Sequence, residues 1–202
     1  MTSEQETVLI VEDEERLASM YATALEDEYA VSVANSGEEA LDEFDDEADV
    51  VLLDRKMPGL SGREVLERLR DDGHDQPVAM LTAVAPDWDI LEIGFDDYLN
   101  KPTDMSELSR LVERLVTLGS LDNEVREYIT RSVKQAAIER EKDPTALDDR
   151  EDFAEFVEET TETSAELGDV TAELSPRETE LVVETIARNL DSRADDDDMF
   201  SS

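Results

Sequence analysis

Five short strand-like runs alternate with amphipathic segments over residues 7–118, and that alternation constrains the fold more than anything else in the chain. The runs are TVLIV at 7–11, YAVSV at 29–33, DVVLLD at 49–54, PVAMLTA at 77–83 and FDDYL at 95–99. Apolar, β-branched runs of this length suit strands covered on both faces. Between them the spacing predicts helices. Arg16 to Glu26 places Leu17, Met20, Tyr21, Ala24 and Leu25 on one face. Ser36 with Glu39 and Ser61 with Glu64 read as capping boxes ahead of Ala40, Leu41 and Phe44, and of Val65, Leu66 and Leu69. Asp104 caps a last helix with Glu107 three residues on, and Leu108, Leu111, Val112 and Leu115 face inward. Strict β-α alternation predicts an α/β domain with a five-stranded parallel, doubly wound sheet and five helices.

After Gly119 no strand-like run follows. Residues 121–142 carry Leu121, Val125, Tyr128, Ile129, Val133 and Ala136 at helical spacing. Residues 153–174 carry Phe153, Val157, Thr160, Ser164, Leu167, Thr171 and Leu174 at 4-3 spacing. This is a weak heptad with polar positions, which permits coiled-coil pairing and hence a homodimer. Ser175-Pro176-Arg177-Glu178 reads as N-cap, proline at N1 and Glu at N3 of a final helix ending near Leu190. The expected organisation is a tail over 1–6, the α/β domain over 7–118, a helical domain over 119–190 and an acidic disordered tail over 191–202.

Composition removes several function classes. The 202 residues include 56 Asp and Glu against 18 Lys and Arg, a formal net charge of -38. Such a surface repels phosphate backbones and anionic lipid, so direct DNA binding is disfavoured. With no Cys, thiolate metal sites, disulfides and Cys nucleophiles are excluded. The one His, His74, reads as an exposed loop residue, which argues against a His-based zinc site or a Ser-His-Asp triad. No apolar run reaches the length of a membrane span, and MTSEQET lacks the regions of a signal peptide. The chain is expected to be cytoplasmic, with no membrane insertion. Only 4 of the 18 cations are Lys (positions 56, 101, 134 and 142). A Lys-poor, acidic surface suits concentrated salt, which shortens self-repulsion to about 3 Å.

The chemistry gathers at strand ends. Glu12 and Asp13 follow the first run, and Asp54 ends the third. In a doubly wound sheet these two strands are expected to be neighbours at the ligand-binding edge. Singly, each carboxylate reads as a solvated strand end. Together they repel one another unless a hard cation joins them, and Mg²⁺ suits oxygen ligands. Thr82 ends the fourth run and Lys101 follows the fifth. A hydroxyl and an ammonium at the same rim could hold phosphoryl oxygens, and an Asp can act as a nucleophile that forms an acyl phosphate.

VLIVEDE at 8–14, VVLLDRKMPGLSG at 50–62, MLTA at 80–83 and DDYLNKP at 96–102, in this order, resemble the receiver domain of two-component response regulators. The resemblance implies a flavodoxin-like fold and carries roles position by position. Asp54 matches the phosphoacceptor, which also touches the metal. Asp13 matches the direct Mg²⁺ ligand, Glu12 its companion acting through water, and Lys56 the residue whose backbone carbonyl is a further ligand. Thr82 matches the switch hydroxyl, Lys101 the phosphoryl-binding lysine and Tyr98 the switch aromatic. Lys56 and Val84 match positions that tune water access and so the lifetime of the phosphoryl group. The implied partner is a sensor histidine kinase. The implied activity is phosphoacceptance, not catalysis on external substrates, with self-catalysed hydrolysis ending the signal. In the family pattern the Lys101–Pro102 bond is cis.

One departure stands out. Thr82 and Tyr98 lie 16 positions apart, about three fewer than in the common pattern, so Ala85-Pro86-Asp87 is expected to open a shortened fourth helix. Trp88 reads as an anchor for that helix, with a partner-facing surface as the less favoured alternative. The segment AVAPDWDILEIGFDDYLNKP at 83–102, with the helical extension, resembles haloarchaeal receivers carrying a HalX domain, a transcriptional-regulator domain of unsettled action. Residues 121–142 hold five basic and five acidic residues, whereas 143–174 hold one and twelve. Arg126, Arg131, Lys134, Arg140 and Lys142 are thus the cations to examine for nucleic acid, with a solvated helix face as the plainer reading. LSPRETELVVETIA at 174–187 is similar to the opening helix of a LuxR-type helix-turn-helix, but no recognition helix follows. Output through a transcription or signalling partner is expected. The alternatives are a phosphate shuttle or sink in a relay and, less favoured, a metal-dependent hydrolase of small phosphate esters.

Overall fold

The computed structural model describes residues 5–44, 48–148, 150–166, 178, 179, 181 and 182. The chain forms two compact units. One comprises Met1–Val84 and Ile93–Gly119, the other Ala85–Glu92 and Ser120–Ser202.

In the first unit, β1 (Thr7–Val11), β2 (Ala30–Ala34), β3 (Val50–Asp54), β4 (Val78–Thr82) and β5 (Asp97–Asn100) form one parallel sheet ordered β2-β1-β3-β4-β5. The most apolar runs take the middle. Every residue of β3 and β4 is buried, because helices cover both faces there. At the β2 edge Ala30 and Ser32 are exposed. Helices α1 (Glu15–Leu25), α2 (Gly37–Glu43), α3 (Gly62–Asp71) and α4 (Met105–Gly119) complete the unit, α1 packing beside α4 and α2 beside α3. Val65, Leu66, Leu69, Leu108, Leu111, Val112 and Leu115 are buried, as their spacing predicts.

The α1 stripe differs from the expected one. Ala18, Tyr21 and Leu25 are buried, whereas Met20 is 54% exposed. Four apolar residues out of five at 17–21 leave the helical phase ambiguous, and packing chose the i, i+3, i+7 stripe that contains the large Tyr21 ring.

The caps formed where expected, with one variation. Ser61 and Glu64 make the full reciprocal box. Ser36 accepts from Glu39 N, but Glu39 reaches back to Asn35 N, one residue earlier. The α3 C-terminus ends in a Schellman motif: Gly73 N–H donates to Arg70 O and His74 N–H to Leu69 O, with Gly73 at φ 88°. That turn carries His74 onto Phe44, ring centroids 4.6 Å apart, so His74 is a half-buried packing residue and not an exposed one. The fourth of the five expected helices is reduced to one 3-10 turn, Trp88–Leu91.

The second unit holds that turn with α5 (Asn123–Glu141), α6 (Pro144–Asp148) and α7 (Glu151–Glu166). The first half of the heptad is satisfied inside this unit. Phe153 and Thr160 are buried and α7 packs along α5, with the Arg131 guanidinium 4.5 Å from the Phe156 ring centre. The remaining heptad positions from Ser164 onward lie outside the described side chains, as do the acidic tail and most of the final helix. Of that helix Glu178, Thr179, Leu181 and Val182 are described and helical, with Leu181 and Val182 buried. Among the described residues no helix is long and apolar enough to cross a membrane.

Candidate phosphoryl and metal site

Strand register alone brings the candidate residues together. Val11 pairs with Leu53, so Glu12 emerges beside Asp54. Asp54 pairs with Leu81, so Thr82 stands one step beyond it. Thr82 pairs with Asn100, and the Lys101 N–H donates to Thr82 O at 2.7 Å. Residues 12, 54, 82 and 101 therefore form one row along the carboxyl edge of the sheet. The Lys101–Pro102 bond is cis.

Glu12 is 1% exposed and Asp54 7%, whereas Asp13 is exposed. A carboxylate oxygen from each of the three lies within 4.8 Å of the others, a geometry that a small divalent cation with oxygen preference could join. Lys101 supplies the local counter-charge. Its Nζ donates to Glu12 Oε2 at 2.5 Å and to Asp54 Oδ2 at 2.8 Å. The second oxygen, Asp54 Oδ1, accepts from Lys56 N at 3.0 Å. Asp54 is thus oriented by a charged donor on one oxygen and a backbone amide on the other.

The electrostatics follow from burial. Desolvation raises the Glu12 pKa, with Asp54 adding to the rise and Lys101 opposing it. Burial pulls the Lys101 pKa down, but the hydrogen bonds and charges of Asp54 and Glu12 outweigh it, so the ammonium is held more firmly than usual. Tyr21, 1% exposed, has its pKa raised by burial, and it feels the charges of Lys101, Glu12 and Asp54. The sequence placed Tyr21 only on a helix face, because the register that brings α1 over the site is tertiary.

The other candidates are more peripheral. Thr82 is 4% exposed, and its Oγ1 engages Val84, accepting from Val84 N and donating to Val84 O at 3.1 Å each. Val84 is 38% exposed and Lys56 is exposed. Tyr98 is half-buried on β5, paired with Met80. Gly62 was not singled out in the sequence. A Cβ there would lie 2.1 Å from Asp54 O, so only glycine lets α3 start against the end of β3. Its sequence signals are its place just after the Ser61 cap and at the end of the VVLLDRKMPGLSG segment.

Of the five candidate cations at 121–142, three are buried or ion-paired and Arg140 is exposed. Lys134 is 6% exposed, Arg131 pairs with Glu159 and Glu127, and Lys142 pairs with Asp87.

Comparison with known proteins agrees with this fold. Residues 8–113 match the response regulator receiver domain model and residues 117–201 match the HalX domain model. A Haloferax volcanii protein named as a candidate transcriptional regulator is 45% identical over 151 residues, covering 72% of this chain and 26% of that protein. The transcriptional regulatory protein CpxR of Escherichia coli is 45% identical over 105 residues, covering 50% of this chain and 45% of CpxR. The chain thus spans less than half the length of these two relatives. The non-phosphorylated HemR receiver domain of Leptospira biflexa has a similar structure, with a TM-score of 0.53 and 30% identity over 58% of this chain and 97% of that one.

Proposed function

We propose that this chain, which belongs to the response regulator receiver domain family, accepts a phosphoryl group on Asp54 from the phosphohistidine of a sensor kinase. The observation that carries the reading is the doubly oriented Asp54 carboxylate, held by Lys101 Nζ and Lys56 N in one row with Glu12 and Asp13. An Asp54 oxygen attacks phosphorus, the P–N bond to the kinase imidazole breaks, and the imidazole nitrogen leaves with the bonding pair. Lys101 is placed to follow a phosphoryl oxygen, since its ammonium already sits on Asp54 Oδ2. Asp13, Asp54 and the Lys56 carbonyl would hold Mg²⁺, with Glu12 acting through water. When bound, the ion neutralises charge developing on the transferred group.

Thr82 is the switch hydroxyl in this reading, exchanging Val84 for a phosphoryl oxygen, and Tyr98 responds to the space it vacates. Lys56 and Val84, both at the open rim, tune the access of the hydrolytic water. The chain acts as a phosphoacceptor in the cytoplasm, not as an enzyme on external substrates. Burial or ion pairing of three of the five candidate cations at 121–142 favours output to a protein of the transcription or signalling machinery over direct contact with DNA.

The test is incubation with acetyl phosphate and Mg²⁺ in molar salt. Wild type gains one phosphoryl group by mass and Asp54→Asn gains none. A folded wild type that stays unmodified by acetyl phosphate and by kinase alike overturns the assignment. Rapid return of the group to a phosphotransfer protein, with no partner captured in the phosphorylated form, favours the relay-sink reading.

A further inference from the structure

The eight residues Ala85–Glu92 sit inside the receiver sequence but are built into the second unit. We propose that this segment is a latch, anchored by Trp88, through which the phosphorylation state of Asp54 is passed to the HalX-like helices. The proposal rests on the phosphoacceptor reading above.

One end of the latch is the switch hydroxyl. Thr82 Oγ1 closes a two-bond ring with the backbone of Val84, at 3.1 Å to both N and O. That ring holds the chain where it leaves β4 and enters the segment. A hydroxyl has one proton to donate, so a Thr82 that donates to a phosphoryl oxygen must release Val84 O. The ring opens and the next residue in line, Ala85, loses its fixed starting point.

The other end is a clasp. Trp88 packs edge-on against Phe153 of α7, with ring centroids 5.7 Å apart at 67°. The Arg150 guanidinium lies 4.6 Å from the Trp88 ring centre and the Lys142 ammonium 5.5 Å. Asp87 Oδ1 caps the 3-10 turn by accepting from Trp88 N at 2.8 Å and also accepts from Lys142 Nζ at 2.6 Å. Ile90 is 4% exposed beneath the turn. Residues from the ends of α5 and α7 and from the loop before α7 thus hold one short turn. In concentrated salt the exposed Asp87–Lys142 pair is screened, whereas ring packing persists, so Trp88 and Ile90 do most of the holding.

The two ends are five residues apart, Thr82 to Asp87, with Pro86 buried between them. Only four residues, the buried Pro86 among them, separate the switch hydroxyl from the capped turn, so a change at Thr82 has a short path to it. In the latch, opening of the Thr82–Val84 ring loosens the Trp88 clasp, and by linkage loosening the clasp favours the phosphorylated state.

Trp88 is the one tryptophan of the chain, so its fluorescence reports the latch directly. The probe is beryllofluoride with Mg²⁺ in molar salt, its binding to the full chain measured independently by ¹⁹F NMR. Bound beryllofluoride should shift the Trp88 emission, and Thr82→Ala should abolish the shift at equal ¹⁹F occupancy. Asp87→Ala, which removes cap and ion pair but keeps the reporter, should bind beryllofluoride about fivefold more tightly, a value at the low end of measured couplings. Arg150→Met, at another exposed position of the clasp, should act in the same direction. Full ¹⁹F occupancy with unchanged Trp88 emission overturns the latch and leaves the phosphoacceptor reading standing. So does unchanged or weaker binding in both variants. If no beryllofluoride binds at all, both readings fall together.

Discussion

Replacing Lys101 with Met tests the electrostatics of the site most severely. The wild-type ammonium touches two carboxylates, Glu12 and Asp54, whose side chains are 2% and 11% exposed, while its own is 13% exposed. Breaking a buried ion pair by removing one partner costs about 3–5 kcal/mol, because the partner is left uncompensated. Here the residual exposure and the option of protonating Glu12 place the expected loss near the lower end, about 3 kcal/mol. The sign with pH follows from Glu12, whose folded pKa is already raised by burial. A carboxylate raised in the folded state favours folding at low pH, and that contribution is lost as pH rises through the folded value. Removing Lys101 takes away the group that opposes the rise. The deficit of Lys101→Met should therefore be largest near neutrality and shrink on acidification. Mg²⁺ should stabilise the variant more than wild type, since it becomes the sole counter-charge for three clustered carboxylates. Urea unfolding followed by hydrogen exchange of β1, β3 and β4 amides reads the sheet alone. A loss below about 1 kcal/mol at neutral pH would refute the reasoning, as would equal Mg²⁺ increments in the two proteins.

Two further outcomes are expected. Gly62→Ala places a Cβ 2.1 Å from Asp54 O, so the end of β3 must move. The sheet should lose about 3 kcal/mol in the same exchange measurement, and phosphorylation by acetyl phosphate should slow, which separates this site from ordinary helix-start positions. Arg70→Met removes a guanidinium that bonds Gly94 O, His74 O, Gln76 O and the 5%-exposed Asp96. It should cost about 2–4 kcal/mol, with amides at the start of β4 and β5 exchanging first.

The legible part of this protein is periodic or positional. Alternation of apolar runs with capped helices announced the parallel sheet, because burial on both faces demands near-continuous apolar strands. The acidic and basic residues at strand ends announced a site, because parallel strands deliver their carboxyl ends to one edge. The α1 stripe was less legible. Leu17, Ala18, Met20 and Tyr21 fit more than one helical phase, and only packing exposed Met20 and buried Tyr21. His74 looked like an exposed loop residue because the Schellman turn that carries it to Phe44 closes through backbone bonds to Arg70 and Leu69.

Sequence by itself determined the fold class and the residue types at the site, since both depend on local spacing and on chemistry that a single side chain carries. Tertiary structure alone decided which atoms meet. Glu12 and Lys101 are 89 positions apart and touch at 2.5 Å because β1 and β5 end at the same edge of one sheet. It also decided that Ala85–Glu92 belongs with the C-terminal helices. No local signal predicts that, because the segment holds its place through Phe153, Lys142 and Arg150, which follow Trp88 by more than fifty residues.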